Sequence, residues 1–331
     1  LNENELNYTE CLYLAGSDFT IPPSNITGIS KWKYNKQTNI CTLQFKVDTQ
    51  IQKNVHMYIK ITNMYQNHKL YIKSLDPDQL KGKMYEDARD IGSSGTTKCD
   101  FLQFGNCQTA AGFTFNQDLS YDKYNPDCLE SPRDPVISNA HVDSQYYPCG
   151  LIANSMFSDT ISPLRCISGN TPCRIPDVEF TQTGIAWPED KGLYNKTLWA
   201  TSTKADQIPK MLIPPPAWRK AWPDLYGKGY TASNVPDLAS WERFQVWMRK
   251  AGLPTFRKFW GQNTTESVDV GIWEVDVQDT WDCRRFEGSK SLIFAETGII
   301  GPRNPFLSIL FLIVGIGSLL VTVLLVAVNP R

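Results

Sequence analysis

The feature that most constrains this chain is an uncharged apolar run at residues 306–328, close to the C-terminus. Its 23 residues would extend roughly 35 Å as an α-helix, slightly more than the ~30 Å hydrocarbon core of a bilayer. A buried helix of a soluble protein is the alternative, but such helices rarely run this far without a polar face. The run therefore predicts a transmembrane helix, which divides the chain into residues 1–303 and a membrane segment at 304–331.

Three small residues interrupt the apolar surface of this predicted helix, namely Gly315, Gly317 and Ser318. Small side chains allow a second helix to approach closely, so this notch favours contact with a partner helix in the membrane. The alternative is that glycine and serine are simply common in membrane helices.

The cysteines indicate a disulfide framework rather than a metal site. They contain no Cys-x-x-Cys pair, and the three histidines (His56, His68 and His141) are not at zinc-ligand spacing. An odd count also leaves one thiol over. The nine cysteines are Cys11, Cys41, Cys99, Cys107, Cys128, Cys149, Cys166, Cys173 and Cys283.

Four Asn-x-Ser/Thr sequons precede the apolar run, at Asn7, Asn25, Asn195 and Asn263. Each is a predicted attachment site for an N-linked glycan. Together with the cysteines they indicate the secretory pathway. Residues 1–303 are therefore expected in the lumen or outside the cell, with Arg331 on the cytosolic side of an ER, Golgi, endosomal or plasma membrane.

The chain starts at Leu1, with no apolar stretch before the first sequon. A lumenal domain needs a signal peptide or a membrane helix to deliver it across the membrane. We therefore expect such a segment upstream of Leu1.

Period-two alternation of apolar residues predicts strands near both ends of residues 1–303. The alternation covers residues 41–47 and 55–61, and the polar stretch 48–54 between them indicates a hairpin. At 268–277 the apolar phase shifts by one residue after Ile272, as a β-bulge would require. These patterns favour a mainly β fold, an antiparallel sandwich-like domain with long loop insertions and short helices.

The middle of the chain is rich in turn residues, with one clear helical pattern at residues 238–251. Leu238, Phe244 and Met248 share a face with Trp241 and Ala251. We expect Asp237 to cap its N-terminus, and Gly252 with Pro254 to end it. The helix is expected to pack on the sheet.

No catalytic motif is found in the sequence. It lacks the Asp-Lys-Thr-Gly segment that a P-type ATPase phosphorylates, a phosphate-binding loop and a Gly-x-Ser-x-Gly elbow. The 33 basic and 34 acidic residues nearly cancel, so nothing favours binding to nucleic acid. We expect a protein that is not an enzyme and needs no metal.

Five segments are specific enough to point to a known family. The most specific is Pro-Cys-Gly-Leu-Ile-Ala-Asn-Ser-Met-Phe at 148–157. The others are residues 64–68 with 71–74, 184–187, 246–249 with 253–258, and 304–307. In this order and spacing they closely resemble the ligand-effect modulator family, also called the cell-cycle-control-protein-fifty family, the β-subunits of type-IV P-type ATPases.

The resemblance implies two transmembrane helices around a large, mainly antiparallel-β ectodomain, the first of them absent from this sequence. Members are not enzymes and have no cofactor beyond N-linked glycans. They form a heterodimer with the catalytic α-subunit, allow it to leave the ER, and support phospholipid movement from the exoplasmic to the cytosolic leaflet. Asn304, Pro305 and Phe306, which open the last helix, are then expected to contact that partner together with the glycine notch.

The resemblance also implies two disulfides, Cys11–Cys41 and Cys128–Cys149. Local spacing alone suggests Cys99–Cys107 and Cys166–Cys173, and Cys283 is left as the free thiol.

One position departs from the family pattern, because Ser158 stands where several members carry a sequon asparagine. The matching segment before it either builds the core or faces the ATPase, and the sequence does not separate the two. We favour the core for Ile152, Met156 and Phe157. For Asn154 and Ser155 we expect hydrogen bonds that satisfy buried backbone.

Two other classes of protein share some of these features. A single-pass adhesion or receptor ectodomain would also have sequons, disulfides and one helix. A membrane-tethered hydrolase would need a catalytic constellation, which the sequence does not show. Neither class accounts for the five matched segments.

Overall fold

The computed structural model describes residues 3–86, 99, 145–168, 177–296 and 305–328. In the last range, side chains are described for residues 309–325, 327 and 328. The strands are β1 Glu3–Asn7, β2 Lys31–Asn35, β3 Ile40–Val47, β4 Val55–Ile61, β5 Gln145–Tyr146, β6 Thr160–Ile161, β7 Leu164–Ser168, β8 Asp177–Val178, β9 Leu212–Ile213, β10 Phe256–Asn263, β11 Gly271–Gln278 and β12 Lys290–Glu296. The α-helices are α1 Cys11–Leu14, α2 Lys69–Lys73, α3 Pro77–Leu80, α4 Leu151–Asn154, α5 Pro188–Lys191, α6 Leu198–Thr201, α7 Ile208–Met211, α8 Pro216–Ala221, α9 Pro223–Tyr226, α10 Glu242–Met248 and α11 Pro305–Val328.

Two antiparallel sheets form the body of the domain, which confirms a mainly β fold with short helices. The first sheet has the order β1-β12-β4-β10, and the second runs β2-β3-β11-β7-β8 with β6 also paired to β11. Phe45 of the second sheet stacks on Phe294 of the first, with ring centroids 5.6 Å apart. The core therefore lies between the two sheets, where the alternating apolar residues of both meet.

The predicted strands at residues 41–47 and 55–61 are present as β3 and β4, with the expected buried residues. The predicted hairpin between them is wrong, because β3 belongs to the second sheet and β4 to the first. Alternation fixes which face of a strand is buried, but it does not fix the neighbouring strand. The stretch 48–54 therefore passes from one sheet to the other.

The predicted irregularity near Ile272 is found where β11 pairs with β7. Ile272 lies opposite Ser168 and Trp273 opposite Cys166, so the extra residue is Ile167 on β7. Against β3, the register of β11 runs without a break. The bulge is thus at the expected position but on the neighbouring strand.

The helix predicted at 238–251 is shorter, and α10 covers only Glu242–Met248. At its start, the Gln245 side chain donates to the carbonyl oxygens of Leu238 and Ala239, at 2.8 and 3.0 Å. At its end, the Lys258 ammonium donates to the carbonyl oxygens of Trp247 and Arg249. Both ends of the predicted helix are therefore replaced by turns that side chains hold in place.

The C-terminal helix α11 runs over 24 residues. Over the part of the chain whose side chains are described, no helix has both the length and the apolarity that crossing a membrane requires.

The two ends of the described domain lie side by side. Strand β1 pairs with β12 so that Glu3 lies opposite Ala295. The backbone at residue 3 is therefore next to the strand that leads toward α11.

Candidate docking surface and its internal support

The segment that carries the most specific family motif lies in the centre of the domain. Its apolar side chains are buried, with Ile152 fully covered and Met156 and Phe157 only 3 and 4 % exposed. This confirms the core interpretation for these three residues. Asn154 accepts a hydrogen bond from the Ala217 amide at 3.0 Å, and Ser155 bonds the Tyr71 hydroxyl at 2.8 Å.

Three tryptophans satisfy the backbone of this segment. The indole N–H of Trp247 donates to the Ile152 carbonyl at 2.9 Å, and that of Trp218 to the Ala153 carbonyl at 2.8 Å. The indole of Trp281 donates to the Ser155 carbonyl at 3.1 Å. In the four-residue helix α4, backbone amides already reach the carbonyls of Leu151 and Ala153. The three tryptophans supply further donors to the carbonyls of this short helix and of the residue that follows it.

A buried ion cluster continues from the end of the same segment. The Lys290 ammonium lies 2.6 Å from the Asp159 carboxylate, 2.7 Å from that of Asp279 and 2.6 Å from the Trp281 carbonyl. Asp159 also accepts the Tyr8 hydroxyl at 2.9 Å. Lys290 is 1 % exposed and Asp159 fully buried, so the cluster connects strand β12, the motif segment and the N-terminal segment in a low-dielectric interior.

The cluster changes how its members titrate. Burial by itself would lower the pKa of Lys290, but Asp159 and Asp279 raise that pKa overall. Burial, together with the charge of Asp159, raises the pKa of the Asp279 carboxyl to about 6 in spite of Lys290. Burial and Asp159 also raise the pKa of the Tyr8 hydroxyl. Ammonium and hydroxyl therefore keep their protons at neutral pH.

Three of the matched segments meet at one surface of the domain. The Met64 amide donates to the Pro254 carbonyl at 3.0 Å, and the Asn67 side chain donates to the Gly252 carbonyl at 3.0 Å. The third segment, residues 184–187, contacts the second through Trp187, whose ring centre lies 4.7 Å from the Arg249 guanidinium. The structure thus gathers residues that are far apart in sequence.

Three large apolar side chains are exposed to solvent at this surface, although the segments that carry them pack against one another. Tyr65 is 58 % exposed, Trp187 60 % and Leu253 71 %. We call these three residues, with the exposed Arg249 and Lys250 beside them, the docking surface. Aromatic residues and arginine are enriched in protein interfaces, so this composition suits contact with another protein.

The disulfides agree only in part with the expectations. Cys11 is bonded to Cys41, as the resemblance implies. Cys149 is bonded to Cys99, so the expected Cys128–Cys149 and Cys99–Cys107 bonds are wrong. The two cysteines lie 50 residues apart, and spacing alone cannot reveal such a pair.

The other cysteines are placed as follows. Cys107 and Cys128 lie outside the described residues. Cys166 is in a disulfide, but Cys173 also lies outside the described residues, so their pairing stays a prediction. Cys283 is a free, buried thiol, which confirms the expectation for it.

The sequon asparagines differ in accessibility. Asn25 and Asn195 are exposed, and Asn7 is partly buried at the end of β1. Asn263 is 7 % exposed, and its amide nitrogen donates to the Glu179 carbonyl at 2.7 Å. A glycan is attached through that nitrogen, so Asn263 is less accessible for glycosylation in this structure than Asn25 or Asn195, and a glycan at each sequon stays a prediction.

Glycopeptide mapping of the membrane-extracted chain should therefore find glycans on Asn25 and Asn195 and none on Asn263. Replacing Asn195 with Gln should increase the gel mobility of the chain by the amount expected for the loss of one glycan. Asn263→Gln should leave the mobility unchanged. A glycan found on Asn263 in folded, exported protein would contradict the expected burial.

The residues expected to contact a partner helix are partly described. Asn304 lies outside the described residues, Pro305 opens α11, and the side chain of Phe306 is not described. A methyl group added at Gly315 or Gly317 would meet no described atom within 4 Å apart from the backbone of the helix itself. The Ser318 hydroxyl donates to the Gly315 carbonyl at 2.9 Å. The glycine notch is therefore open within the described residues.

Within the described ranges, no cluster of three or more His, Cys, Asp or Glu side chains is arranged to hold a metal ion. The ion cluster around Lys290 was missed in the sequence, although one signal was present. Lys290 is in phase with Leu292 and Phe294, the inward-facing residues of β12. A charged residue in the core phase of a strand predicts a buried ion pair.

Comparison with known proteins places this arrangement in a family. The model of the LEM3 (ligand-effect modulator 3) / CDC50 family matches residues 1–330. The phospholipid-transporting ATPase accessory subunit CRF1 of Saccharomyces cerevisiae is 32 % identical over 98 % of this chain and 73 % of its own length. The accessory subunit CDC50 of Chaetomium thermophilum is 30 % identical over 94 % of this chain and 71 % of its own. Mouse cell cycle control protein 50A is 28 % identical over 88 % of this chain and 68 % of its own. The chain belongs to the LEM3/CDC50 family.

Proposed function

We propose that this chain is the non-catalytic accessory subunit of a phospholipid-transporting P-type ATPase of type IV. In this function it binds the catalytic subunit as a heterodimer, supports its folding and ER exit, and supports lipid movement from the exoplasmic to the cytosolic leaflet. The observation that carries the proposal is the docking surface, where three segments shared with the family meet and expose apolar side chains. An adhesion receptor or a hydrolase has no comparable support.

We further propose that residues 3–296 belong to an ectodomain at 1–303 on the lumenal or extracellular side, and that α11 anchors it in a membrane of the secretory or endosomal system. The large described side chains of α11 are exposed and apolar, as contact with lipid requires. The hydroxyls of Ser318 and Thr322 bond carbonyl oxygens of the helix itself, at 2.9 and 2.8 Å. The adjacent positions of Glu3 and Ala295 suit a chain that enters and leaves the ectodomain on one side.

The docking surface can be tested by truncating its two most exposed apolar side chains. The double change Trp187→Ala with Leu253→Ala should reduce recovery of the catalytic subunit in co-purification by about tenfold or more, because truncating a hot-spot residue of an interface costs about 2 kcal/mol or more. Both side chains lie outside the core, so the chain itself should fold normally.

Ile21 offers a matched control, since it is 78 % exposed and belongs to none of the matched segments. The change Ile21→Ala should leave co-purification as in the wild type. If the double variant folds, reaches the same level in the membrane and still recovers the full amount of ATPase, this surface is not where the partner binds.

The glycine notch of α11 gives a second test of the same assembly. A Cβ atom added at Gly315 or Gly317 meets nothing within 4 Å among the described residues beyond the helix's own backbone. Changing both glycines to Leu should therefore leave the fold of the helix and of the ectodomain unaffected. If the notch seats a helix of the ATPase, the bulky side chains should separate the two and lower the detergent stability of the complex. Unchanged co-purification would show that the notch faces lipid.

A further inference from the structure

A small cavity between helix α10 and strand β10 has an unusual lining. Its volume is about 20 Å³, and four of its side chains carry N–H groups: Arg243, Lys258, Trp260 and Trp247, whose indole N–H is already bonded to the Ile152 carbonyl. The remaining lining residues are Ile59, Met156, Phe157, Val246 and Phe259. Neither Asp nor Glu contributes to the lining in the described part of the chain. The cavity thus combines two cations with apolar walls.

Lys258 is held in the wall of this cavity by neutral groups. It is 9 % exposed, and its ammonium donates to the carbonyl oxygens of Val246 at 3.5 Å, Trp247 at 3.3 Å and Arg249. These bonds use its three donors but leave its charge without a carboxylate. Burial, with a smaller effect of the neighbouring cations, lowers the pKa of Lys258 to about 7. The charged form is therefore poorly compensated by the protein.

The charge of Arg243 is also poorly compensated by the protein. Its guanidinium lies 4.9 Å from the centre of the Trp260 ring and donates to the Phe157 carbonyl at 3.3 Å. Burial lowers its pKa to about 10; Asp159 opposes this shift, but that carboxylate is bonded to Lys290. Trp260 is 5 % exposed, and its indole N–H has no hydrogen-bond partner. A buried ammonium, a half-buried guanidinium and an unbonded N–H donor are each unfavourable without an acceptor.

We propose that this cavity binds a small monovalent anion, with chloride as the natural occupant. An ion of this size fits a volume that suffices for about one water molecule. The charges of Arg243 and Lys258 would attract it, and the N–H groups of Arg243 and Trp260 would donate to it. The bound anion would neutralise charge where α10 packs on β10, so its effect is expected on the stability of this part of the domain.

The test compares thermal unfolding of the full chain in sodium chloride and in sodium gluconate at equal ionic strength, since gluconate is too large for the cavity. Chloride should raise the unfolding midpoint by about 3 °C. In Trp260→Phe and in Arg243→Gln the difference between the two salts should disappear. Each variant is compared with itself, so a lower starting stability does not obscure the result.

Arg257→Gln is the matched control. Arg257 is on the same strand as Lys258, but it is exposed and pairs with Glu3 at 2.8 Å, so this variant should keep the chloride effect. Bromide should also give an anomalous peak in the cavity of crystals. Equal midpoints of the wild type in both salts, or a chloride effect that persists in both cavity variants, would overturn the proposal.

Discussion

Replacing Lys290 with methionine should destabilise the folded chain by about 3–5 kcal/mol at neutral pH, because the change leaves two buried carboxylates without their cation. Asp159 and Asp279 both lie within 2.7 Å of the lost ammonium. The measurement is the free energy of unfolding of the purified full chain. Lys60→Met is the control, since the Lys60–Glu5 pair has both side chains more than a quarter exposed and is expected to contribute less than about 1 kcal/mol.

The pH dependence identifies the cause of this loss. In the wild type, the native state raises the pKa of Asp279 to about 6, above the usual value of about 3.9 in the unfolded chain. The folded state therefore binds a proton more readily between these values, so stability contributed by this group falls as the pH rises through that window and is level above it. Without Lys290, whose charge lowers the pKa of the Asp279 carboxyl, that pKa rises further and the window extends to higher pH.

Lys290→Met should thus regain part of its stability on acidification from neutral pH, over a range in which the wild type changes little. A cavity left by a badly fitting methionine would cause a loss that does not depend on pH. If the variant is as stable as the wild type, or its loss is the same at every pH, the ion cluster does not have the stabilising role assigned to it.

Local patterns in the sequence predicted the elements of this fold better than their arrangement. Alternation in residues 41–47 and 55–61 located two strands and their buried faces, because burial of one face imposes period two. Pairing depends on contacts between distant residues, and β3 in fact pairs with β11, more than two hundred residues later. No local pattern contains that information.

In the candidate site, too, the local feature was predicted and the contacts between distant residues were not. The motif at 148–157 predicted a buried segment, and Ile152, Met156 and Phe157 are buried. The tryptophans that donate to its carbonyl groups lie 65 to 126 residues further along the chain. Their role depends on side-chain direction in the folded state, which the sequence does not specify. The motif is thus constrained mainly from inside the domain, while the residues exposed for a partner come from other segments.

This internal constraint should make Gly150→Ala one of the most damaging small changes in the chain. Gly150 has φ +94° and ψ 166°, a conformation that is essentially restricted to glycine. A Cβ atom there would lie 2.1 Å from the Ser74 carbonyl oxygen, while the neighbouring Leu151 amide bonds the Ser74 hydroxyl at 2.8 Å. The backbone segments at Ser74 and Gly150 cannot move apart without breaking that bond. We therefore expect the free energy of unfolding to fall by more than about 4 kcal/mol.

Gly192→Ala tests whether this loss is specific to the site. Gly192 follows α5 with φ −67° and ψ −8°, and an added methyl group would meet no atom within 4 Å. Alanine there should leave the stability unchanged or raise it by about 0.5 kcal/mol, because it restricts the unfolded chain. Chemical unfolding of both variants, together with their export from the ER, provides the measurement. If the Gly150→Ala chain unfolds at the wild-type midpoint, the motif tolerates movement away from Ser74. The sequence at 148–157 would then not be required for its buried and tightly bonded geometry.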